Sequence, residues 1–215
     1  MNIDAYTDLR RIIREEMKAM RVAELAVVQD IHPHAAQDDD DNYACTVRLR
    51  DTDLVLTRVP VMTARKGMAA IPDVGDLVLV QFLGGNANAP IITGSLYNDE
   101  DRPPENAEGE AVLRLPVDAG EGEGIEMRVS SADGSTATIA LGSALKIELK
   151  DDDPVVMIDV GDGAASLSIE SDGTVTLKSG NALTLEGSDV VIKGTTIKAE
   201  AQGEMTLNAS LINLN

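Results

Sequence analysis

The chain has 215 residues, with 37 acidic against 18 basic side chains and a formal net charge of −19, which disfavours nucleic acid and anionic membrane surfaces as partners. No run approaches the ~18 apolar residues of a membrane span, and residues 1–20 show no apolar signal region. The single cysteine, Cys45, excludes an intrachain disulfide framework and is expected to be a small buried strand residue.

The first predicted element is a helix from Thr7 to Ala26, with Thr7 as its N-cap and Asp8 in the first turn. Apolar side chains recur along it at helical spacing and form one stripe, which consists of Leu9, Ile12, Ile13, Met17 and Met20. The stripe fits two interpretations. The helix packs on its own domain, or it docks on a partner protein or on other copies of the chain.

Residues 22–97 are predicted to form a compact β-rich domain. Tyr43–Arg50 alternates between apolar and polar residues, and Leu54–Val59 follows after a short turn. Ile71–Phe82 is a turn that leads into a nearly continuous apolar strand, and Ile91–Tyr97 is a closing strand. Short strands at this spacing predict a small barrel of the oligonucleotide/oligosaccharide-binding (OB) type.

Residues 98–110 form a polar linker rich in proline and glutamate, and residues 111–165 alternate again. The strands predicted in this second segment are Val112–Val117, Ile125–Val129, Thr136–Leu141, Leu145–Leu149 and Val155–Val160. They are longer than the strands that follow, so we interpret residues 111–165 as a transition region ahead of a more regular C-terminal repeat.

Residues 166–215 contain that repeat, in which two apolar residues flank one central residue every 7–8 positions. The pairs are Leu167/Ile169, Val175/Leu177, Leu183/Leu185, Val190/Ile192, Ile197/Ala199, Met205/Leu207 and Ile212/Leu214. Glycine and small polar residues between the pairs indicate turns, and each pair indicates a short strand with one buried face.

A single strand of this kind buries too little apolar surface to be stable alone, and no aromatic residue follows Tyr97. The apolar faces must therefore meet copies of themselves. We predict a homotrimer in which three identical chains wind about one axis with their aliphatic side chains inward, so that residues 166–215 form an intertwined β-helix. A single-chain parallel β-helix and a hairpin meander are the alternatives.

A family resemblance lies in two motifs of the predicted barrel. Pro72, Gly75, Asp76 and Phe82 mark a sharp turn into a buried strand, and Pro90, Gly94 and Tyr97 mark the strand that closes the domain. Gly94 is expected at a corner where a side chain would be crowded. This pattern resembles the OB domain of contractile-tail spike proteins, namely the phage baseplate assembly protein V family, the phage central spike and the valine-glycine repeat (VgrG) spikes of type VI secretion.

The resemblance implies a structural central spike, a membrane-piercing needle without a cofactor, in a phage tail, tailocin or related particle that is assembled in the bacterial cytoplasm. It also implies a separate hub protein, on which the helical stripe would dock. Spikes of this family end in a metal-binding His-x-His pair, which is missing here, so we expect a blunt end that receives a PAAR-type tip protein. The residues expected to meet that cap are Leu211, Ile212, Leu214 and Asn215.

Other constellations favour no catalytic site. His32 and His34 could bind a metal ion but fit a loop better, and Asp38–Asp41 lacks the spacing of a calcium loop. The rivals are an effector-carrying spike, for which no cargo domain is visible, and a tailspike or receptor-binding fibre that binds or depolymerises polysaccharide. Because the repeat offers no aromatic wall for a sugar, we predict a non-enzyme.

Overall fold

A computed structural model describes residues 3–120 and 122–213, which form one helix followed by two antiparallel sheets. The helix is α1 (Ile3–Ala19). The first sheet contains β1 (Glu24–His32), β2 (Ala44–Leu49), β3 (Val55–Pro60), β4 (Leu77–Phe82) and β5 (Pro90–Leu96). The second sheet contains β6 (Glu110–Leu115), β7 (Ile125–Ser130), β8 (Thr136–Leu141), β9 (Leu145–Lys150), β10 (Val156–Val160), β11 (Ala165–Ile169) and β12 (Val175–Ser179). The predicted class, mostly β with a short N-terminal helix, is confirmed.

The helix differs from the prediction at both ends. It begins at Ile3, so Thr7 lies in its interior and the predicted N-cap is wrong. It ends at Ala19 rather than Ala26, because Glu24–His32 pairs with two other strands, and this pairing overrides the local helical pattern. In the part of the chain that the structure describes, no helix combines the length and apolarity needed to cross a membrane.

The first sheet has the strand order β3-β2-β1-β4-β5 and encloses one apolar core. Alternate residues of its strands face inward, as the period of a β-strand requires. The buried core residues are Ala26, Val28, Cys45, Val47, Leu49, Val59, Val78, Val80, Phe82 and Ile92. The burial predicted for Cys45 is observed, and it raises the pKa of that thiol to about 11.

The domain is of OB type, as predicted, but the predicted barrel is not closed. The edge strands β3 and β5 meet only at one parallel bridge, Val61 to Ile92, where the Met62 N–H donates to the Ile92 carbonyl at 2.8 Å. Pro60 and Pro90 line the groove between these strands. Since proline has no N–H to donate, neither residue can extend the bridge into a ladder.

The second sheet is a seven-stranded meander in which every strand pairs with its neighbours in sequence. The strands predicted between residues 112 and 160 are all present, with ends shifted by at most two residues. Turn glycines between them adopt positive φ, for example Gly134 at +100° between β7 and β8. The sheet continues through β11 and β12, so it crosses the predicted boundary at residue 165.

Residues 180–213, which we call the tail, contain no strand within the single chain. Of the seven predicted strand pairs, only the first two coincide with strands, β11 and β12. The other pairs form no strand here: Leu183/Leu185, Val190/Ile192, Ile197/Ala199, Met205/Leu207 and Ile212, whose partner Leu214 lies outside the described residues. A strand needs a hydrogen-bonded neighbour, and the described part of one chain supplies none to the tail.

Candidate functional site

The second sheet presents one continuous apolar face, which is the first candidate surface. The pairing register places side chains of successive strands directly opposite one another, so that they form rows across all seven strands. The middle row is Leu113, Met127, Ile139, Ile147, Ile158, Leu167 and Leu177. A second row begins at Ala111 and ends at Val175, and a third begins at Leu115 and ends at Ala165 before the polar Ser179.

No described residue covers this apolar face. Leu113 remains 51% exposed, Ile125 43% and Leu177 53%, and none of the described residues of the second sheet is buried. Exposed apolar patches of this continuity mark interaction surfaces, because water contact with so many aliphatic side chains is unfavourable. The face is therefore a candidate interaction surface.

The opposite face of the second sheet is polar and carries cross-strand ion pairs. Arg114 pairs with Glu126, and Arg128 pairs with Glu110 at 2.8 Å and with Glu126 at 3.3 Å. The Arg114 guanidinium, and Arg128 beside it, hold the pKa of the Glu126 carboxyl below its ordinary value. These pairs suit a surface that faces water, so the two faces of the sheet have distinct roles.

The tail is the second candidate surface, and its backbone follows a regular path. It bends at residues 188, 195–196, 202–203 and 210, and runs extended between these points. An added Cβ at Gly187 would lie 3.5 Å from the Asp189 carbonyl oxygen, and one at Gly194 would lie 3.3 Å from the Thr196 carbonyl oxygen. The same local geometry thus recurs one repeat further along the chain.

In the tail, the backbone of residues 181–213 lacks backbone hydrogen-bond partners and the apolar side chains are exposed. Among the described residues 181–213, no backbone–backbone hydrogen bond is formed. Leu185, Ile192 and Leu207 are 66%, 67% and 68% exposed. Extended backbone without hydrogen-bond partners and exposed aliphatic side chains thus occur in the same segment. Neighbouring strands would supply the hydrogen bonds and would cover the side chains.

The structure divides the predicted trimer-core residues between these two surfaces. Leu167, Ile169, Val175 and Leu177 lie on the apolar face of the second sheet, and the other described members lie along the tail, whereas Leu214 lies outside the described residues. The predicted trimer core did not include the residues of the earlier strands in the same row, which are Leu113, Met127, Ile139, Ile147 and Ile158. The alternating pattern of residues 111–163 was the signal that could have identified them.

Of the residues predicted to meet a tip protein, Leu211 is 72% and Ile212 46% exposed, and Leu214 and Asn215 lie outside the described residues. These two exposed side chains continue the uncovered apolar surface of the tail. The structure places no described residue against them that would make a closed end.

The motif residues of the first sheet surround a sharp turn before β4. Gly75 adopts a φ of +102°, and its N–H donates to the Val28 carbonyl at 3.0 Å. The Asp76 carboxylate accepts a hydrogen bond from the Asp73 N–H at 3.0 Å, and burial raises the pKa of Asp76. The turn therefore holds β4 against β1 through backbone bonds that a residue with negative φ would not permit as easily.

The other motif residues have different environments. Pro72 and Phe82 are buried, Pro90 is half-buried and Tyr97 is 59% exposed. A Cβ added at Gly94 would meet no atom within 4 Å, so the predicted crowding at this position is wrong for the single chain. The β4–β5 register shifts between Leu79 and Val80, close to the partner of Gly94.

The two histidines have separate hydrogen-bond partners. His32 Nε2 lies 2.9 Å from Thr46 Oγ1, and His34 Nδ1 lies 2.7 Å from Asp39 Oδ1. The described residues contain no group of three or more His, Cys, Asp or Glu side chains that could hold a metal ion. The acidic loop is organised by Asp39, whose carboxylate accepts the N–H groups of Ala35 at 2.6 Å and Ala36 at 2.7 Å.

The apolar stripe of α1 is the third candidate surface. Leu9, Ile12, Ile13 and Met20 are 54%, 51%, 49% and 57% exposed, and the side chain of Met17 lies outside the described part. Among the described residues, no strand makes extensive contact with α1, although Met20, the residue after the helix, packs on Gly85. The exposed stripe favours docking over packing on the helix's own domain, and both interpretations stay predictions.

The five-stranded sheet buries one apolar core, and the sheet and tail that follow it leave apolar surfaces uncovered in the single chain. In agreement, residues 37–97 match the family model of the type VI secretion system/phage-baseplate injector OB domain. The match confirms the resemblance to contractile-tail spike proteins inferred from the motifs at residues 72–97.

The matched family is structural rather than enzymatic, and it does not favour the polysaccharide-active fibre as an alternative. The matched domain indicates a baseplate-related structural role, in a phage tail or related particle. It also implies association with other baseplate components.

Proposed function

We propose that this chain is the central spike of a contractile injection particle, such as a phage tail baseplate or a tailocin, and that it acts as a homotrimeric needle that pierces the target envelope. The observation that carries the proposal is the tail, an extended segment that bends at 7–8-residue intervals and forms no backbone hydrogen bond with itself. The matched injector domain supports the same particle context.

Three copies of the tail can satisfy one another. If each extended segment lies beside segments of the two other chains, its N–H and C=O groups gain acceptors and donors on both sides. Each bend then turns the chain around the common axis, and side chains such as Leu185 and Leu207 point inward. Residues with small side chains at the bends, such as Gly187 and Gly194, allow the chain to turn tightly.

The second sheet fits the same symmetry. Three apolar faces packed around the axis would cover one another and leave the ion-paired faces toward water. Each half-exposed aliphatic side chain would gain about 1 kcal/mol on burial, by the usual proportion to apolar area. With several such residues per chain, association supplies the stabilisation that the isolated sheet lacks.

The mechanical role follows from this arrangement. Seven strands at about 4.8 Å spacing make a sheet about 29 Å long across its strands, and the tail extends the structure further. Strands that lie across the axis place their hydrogen bonds along it, so bending the rod requires many bonds to break together. Such a rod can concentrate the force of a contracting sheath on a narrow tip.

The remaining partners that we propose are those implied by the family resemblance. These are a hub protein above the first sheet, a PAAR-type protein at the far end of the tail and transient contact with the envelope of the target cell. The proposal includes no catalytic step and no cofactor, because the needle acts by its shape and stiffness.

Light scattering of the purified chain tests the association directly. We expect a mass three times the 22.7 kDa of one chain. A monomer at micromolar concentration would overturn the proposal, because the apolar face and the tail would then remain uncovered.

Hydrogen exchange of the backbone amides tests the intertwined tail. Amides of residues 183–207 have no acceptor within the described single chain, so a monomeric tail would exchange at the rate of an unfolded peptide. In the trimer we expect protection of about a thousandfold or more, as for hydrogen-bonded core strands. The amides of Asp99, Arg102 and Glu105 in the linker, which form no hydrogen bond in the part of the chain that the structure describes, serve as the internal control and should exchange rapidly.

A further inference from the structure

The last three hairpins of the second sheet are each closed by a backbone hydrogen bond in the same position. These bonds join the Gly142 N–H to the Gly124 carbonyl at 2.7 Å, the Gly161 N–H to the Ala144 carbonyl at 3.0 Å and the Gly180 N–H to the Ala164 carbonyl at 2.8 Å. After Gly142 and Gly161 the chain reverses into the next strand, and both glycines have a left-handed φ, +53° and +59°. The φ of Gly180 lies outside the left-handed region, and the chain that follows does not return to pair with β12.

Ser179 holds the chain in this different path. Its hydroxyl accepts the Asn181 N–H at 3.3 Å and donates to the Ala182 carbonyl at 3.2 Å. Leu141 and Val160, which precede the other two glycines, have no hydroxyl and cannot form such bonds. The side chain before the glycine therefore distinguishes the third connection from the first two.

β12 is the last described strand of the second sheet and has one free edge. The Glu170 N–H donates to the Thr174 carbonyl at 2.9 Å, and this bond fixes the even-numbered residues of β12 as those that bond to β11. The N–H and C=O groups of Val175, Leu177 and Ser179 therefore point to the free edge. Among the described residues, no backbone–backbone hydrogen bond is formed there, so this edge can receive a further strand.

The first stretch of the tail, residues 182–186, has the pattern that this edge requires. Leu183 and Leu185 flank one polar residue, as Val175 and Leu177 do in β12. A strand in that register beside β12 would extend the apolar rows of Val175 and Leu177 by one residue each. Both leucines are exposed in the single chain, and the pairing would cover part of their surface.

A hairpin within the same chain fits this segment less well. Residues 180–182 and 142–144 are connections of equal length, so the hairpin of β8 and β9 is the natural comparison. There Leu141 lies opposite Leu145, and the equivalent register would set Leu183 opposite the polar Ser179. Leu183 would then lack an apolar neighbour on the adjacent strand.

We infer that the free edge of β12 pairs with residues 182–186 of a neighbouring copy, so that pairing within one chain changes to pairing between chains at residue 180. This inference rests on the homotrimer of the proposed function and names the point at which the three chains exchange strands. In the neighbouring copy the same segment forms no backbone–backbone hydrogen bond of its own, so one pairing provides partners for both the edge and the segment. A hairpin within the same chain is the rival.

Disulfide cross-linking in the full-length chain distinguishes the two registers. Thr176→Cys with Thr184→Cys places two thiols opposite each other in the proposed exchange. Lys178→Cys with Thr184→Cys is the matched pair for the hairpin, in which residue 184 would lie opposite residue 178. Thr176 and Lys178 lie on the polar face of the sheet, so the apolar rows stay intact, and the buried Cys45 is the same in both variants. Because a disulfide needs Cα atoms within about 7 Å, we expect at least about tenfold more cross-linked dimer and trimer from the first pair on a non-reducing gel.

Light scattering of the same samples separates this inference from the proposed function. A trimeric mass with disulfides between chains mainly at residues 176 and 184 supports the strand exchange. A trimeric mass with any other pattern, including a disulfide within one chain at residues 178 and 184, overturns the exchange and leaves the spike assignment standing. A monomeric mass overturns both.

A further variant tests the role of Ser179. Ser179→Leu with Asn181→Ser makes residues 179–183 identical to residues 141–145, removes the hydroxyl that holds the chain and gives Leu183 an apolar residue to face. In the background of Lys178→Cys with Thr184→Cys, we expect the disulfide within one chain to increase severalfold. Asn181→Ser alone keeps the Ser179 hydroxyl and should not change the yield. An equal yield with and without Ser179→Leu would contradict the path held by Ser179 and, with it, the strand exchange.

Discussion

The first and second sheets are both antiparallel and both alternate apolar with polar residues, yet only the first covers its own apolar side. Its core residues are 0–8% exposed, whereas no described residue of the second sheet is buried. The difference lies in the register. Three pairings of the first sheet contain a shift, and none of the second sheet does.

Register shifts bend strands and increase their twist, so they allow a sheet to curl over its own side chains. In the first sheet the extra residues at these shifts fall in β1, in β3 and in β5, and the curled sheet brings Val47 and Ile92 into one core. The regular second sheet cannot close on itself and leaves Leu113 and Leu177 uncovered. The alternation of apolar and polar residues therefore specifies which side of a sheet is apolar. The shifts in strand register decide whether the sheet curls enough to cover that side itself.

The largest effect is expected from a charge on the apolar face of the second sheet. Leu167→Asp would place three carboxylates near the axis of the trimer, at a cost of the order of several kcal/mol per buried charge. We expect loss of the trimer, measured by light scattering and thermal melting. Ser168→Asp, on the opposite face of the same strand, is the control and should remain trimeric. Equal behaviour of the two variants would refute the inward packing of this face.

A smaller effect is expected from a cavity in the first sheet. Ile92 is 0% exposed, so Ile92→Ala should destabilise the first domain by about 2–5 kcal/mol in denaturant unfolding. The trimeric mass should not change, because the first sheet buries its core without the other copies. Val74→Ala, at a position that is 61% exposed, should shift stability by less than about 0.5 kcal/mol. Dissociation of the Ile92→Ala trimer would mean that the two regions depend on each other.

The smallest effect concerns the loop held by Asp39. The hydrogen bond to Asp39 raises the pKa of His34, and the N–H groups of Ala36 and Ala35 together with His34 lower the pKa of Asp39 to about 2. The contribution of protonated His34 is complete below the ordinary pKa of histidine and is lost as the pH rises through the raised pKa. His34 is exposed and Asp39 is half-buried in a surface loop, so only a local change is expected.

An NMR titration of the His34 ring measures this contribution. Asp39→Asn should lower the pKa of His34 toward its ordinary value, and Asp40→Asn, which removes a neighbouring carboxylate without a hydrogen bond to His34, should change it less. A His34 pKa unaffected by Asp39→Asn would show that the contact is not formed in solution.

The sequence predicted the strands of the second sheet well, because alternation and turn residues such as Asp133 and Gly134 are local signals. It placed the ends of α1 wrongly, because pairing of Glu24–His32 with distant strands decided where the helix ends. It also identified the motif around Gly75, whose positive φ is a local requirement.

The partners of the predicted strands were harder to infer. The spacing of Leu183, Val190 and Ile197 defines which side chains share a face but not which chain lies beside them. The open seam between β3 and β5 depends on Pro60 and Pro90 lining the same groove, which no local pattern encodes. The periodicity of apolar residues does not show which distant strands pair with one another.

The local backbone geometry at Gly187 matches that at Gly194, so the tail is built of equivalent repeats. Removing or inserting one whole repeat would keep every later side chain on its original side and would alter only the length of the tail. Removing a single residue would reverse the facing of all that follow within that extended stretch. If the tail forms the needle proposed above, the length of that needle could therefore change by one repeat at a time without a change in its cross-section.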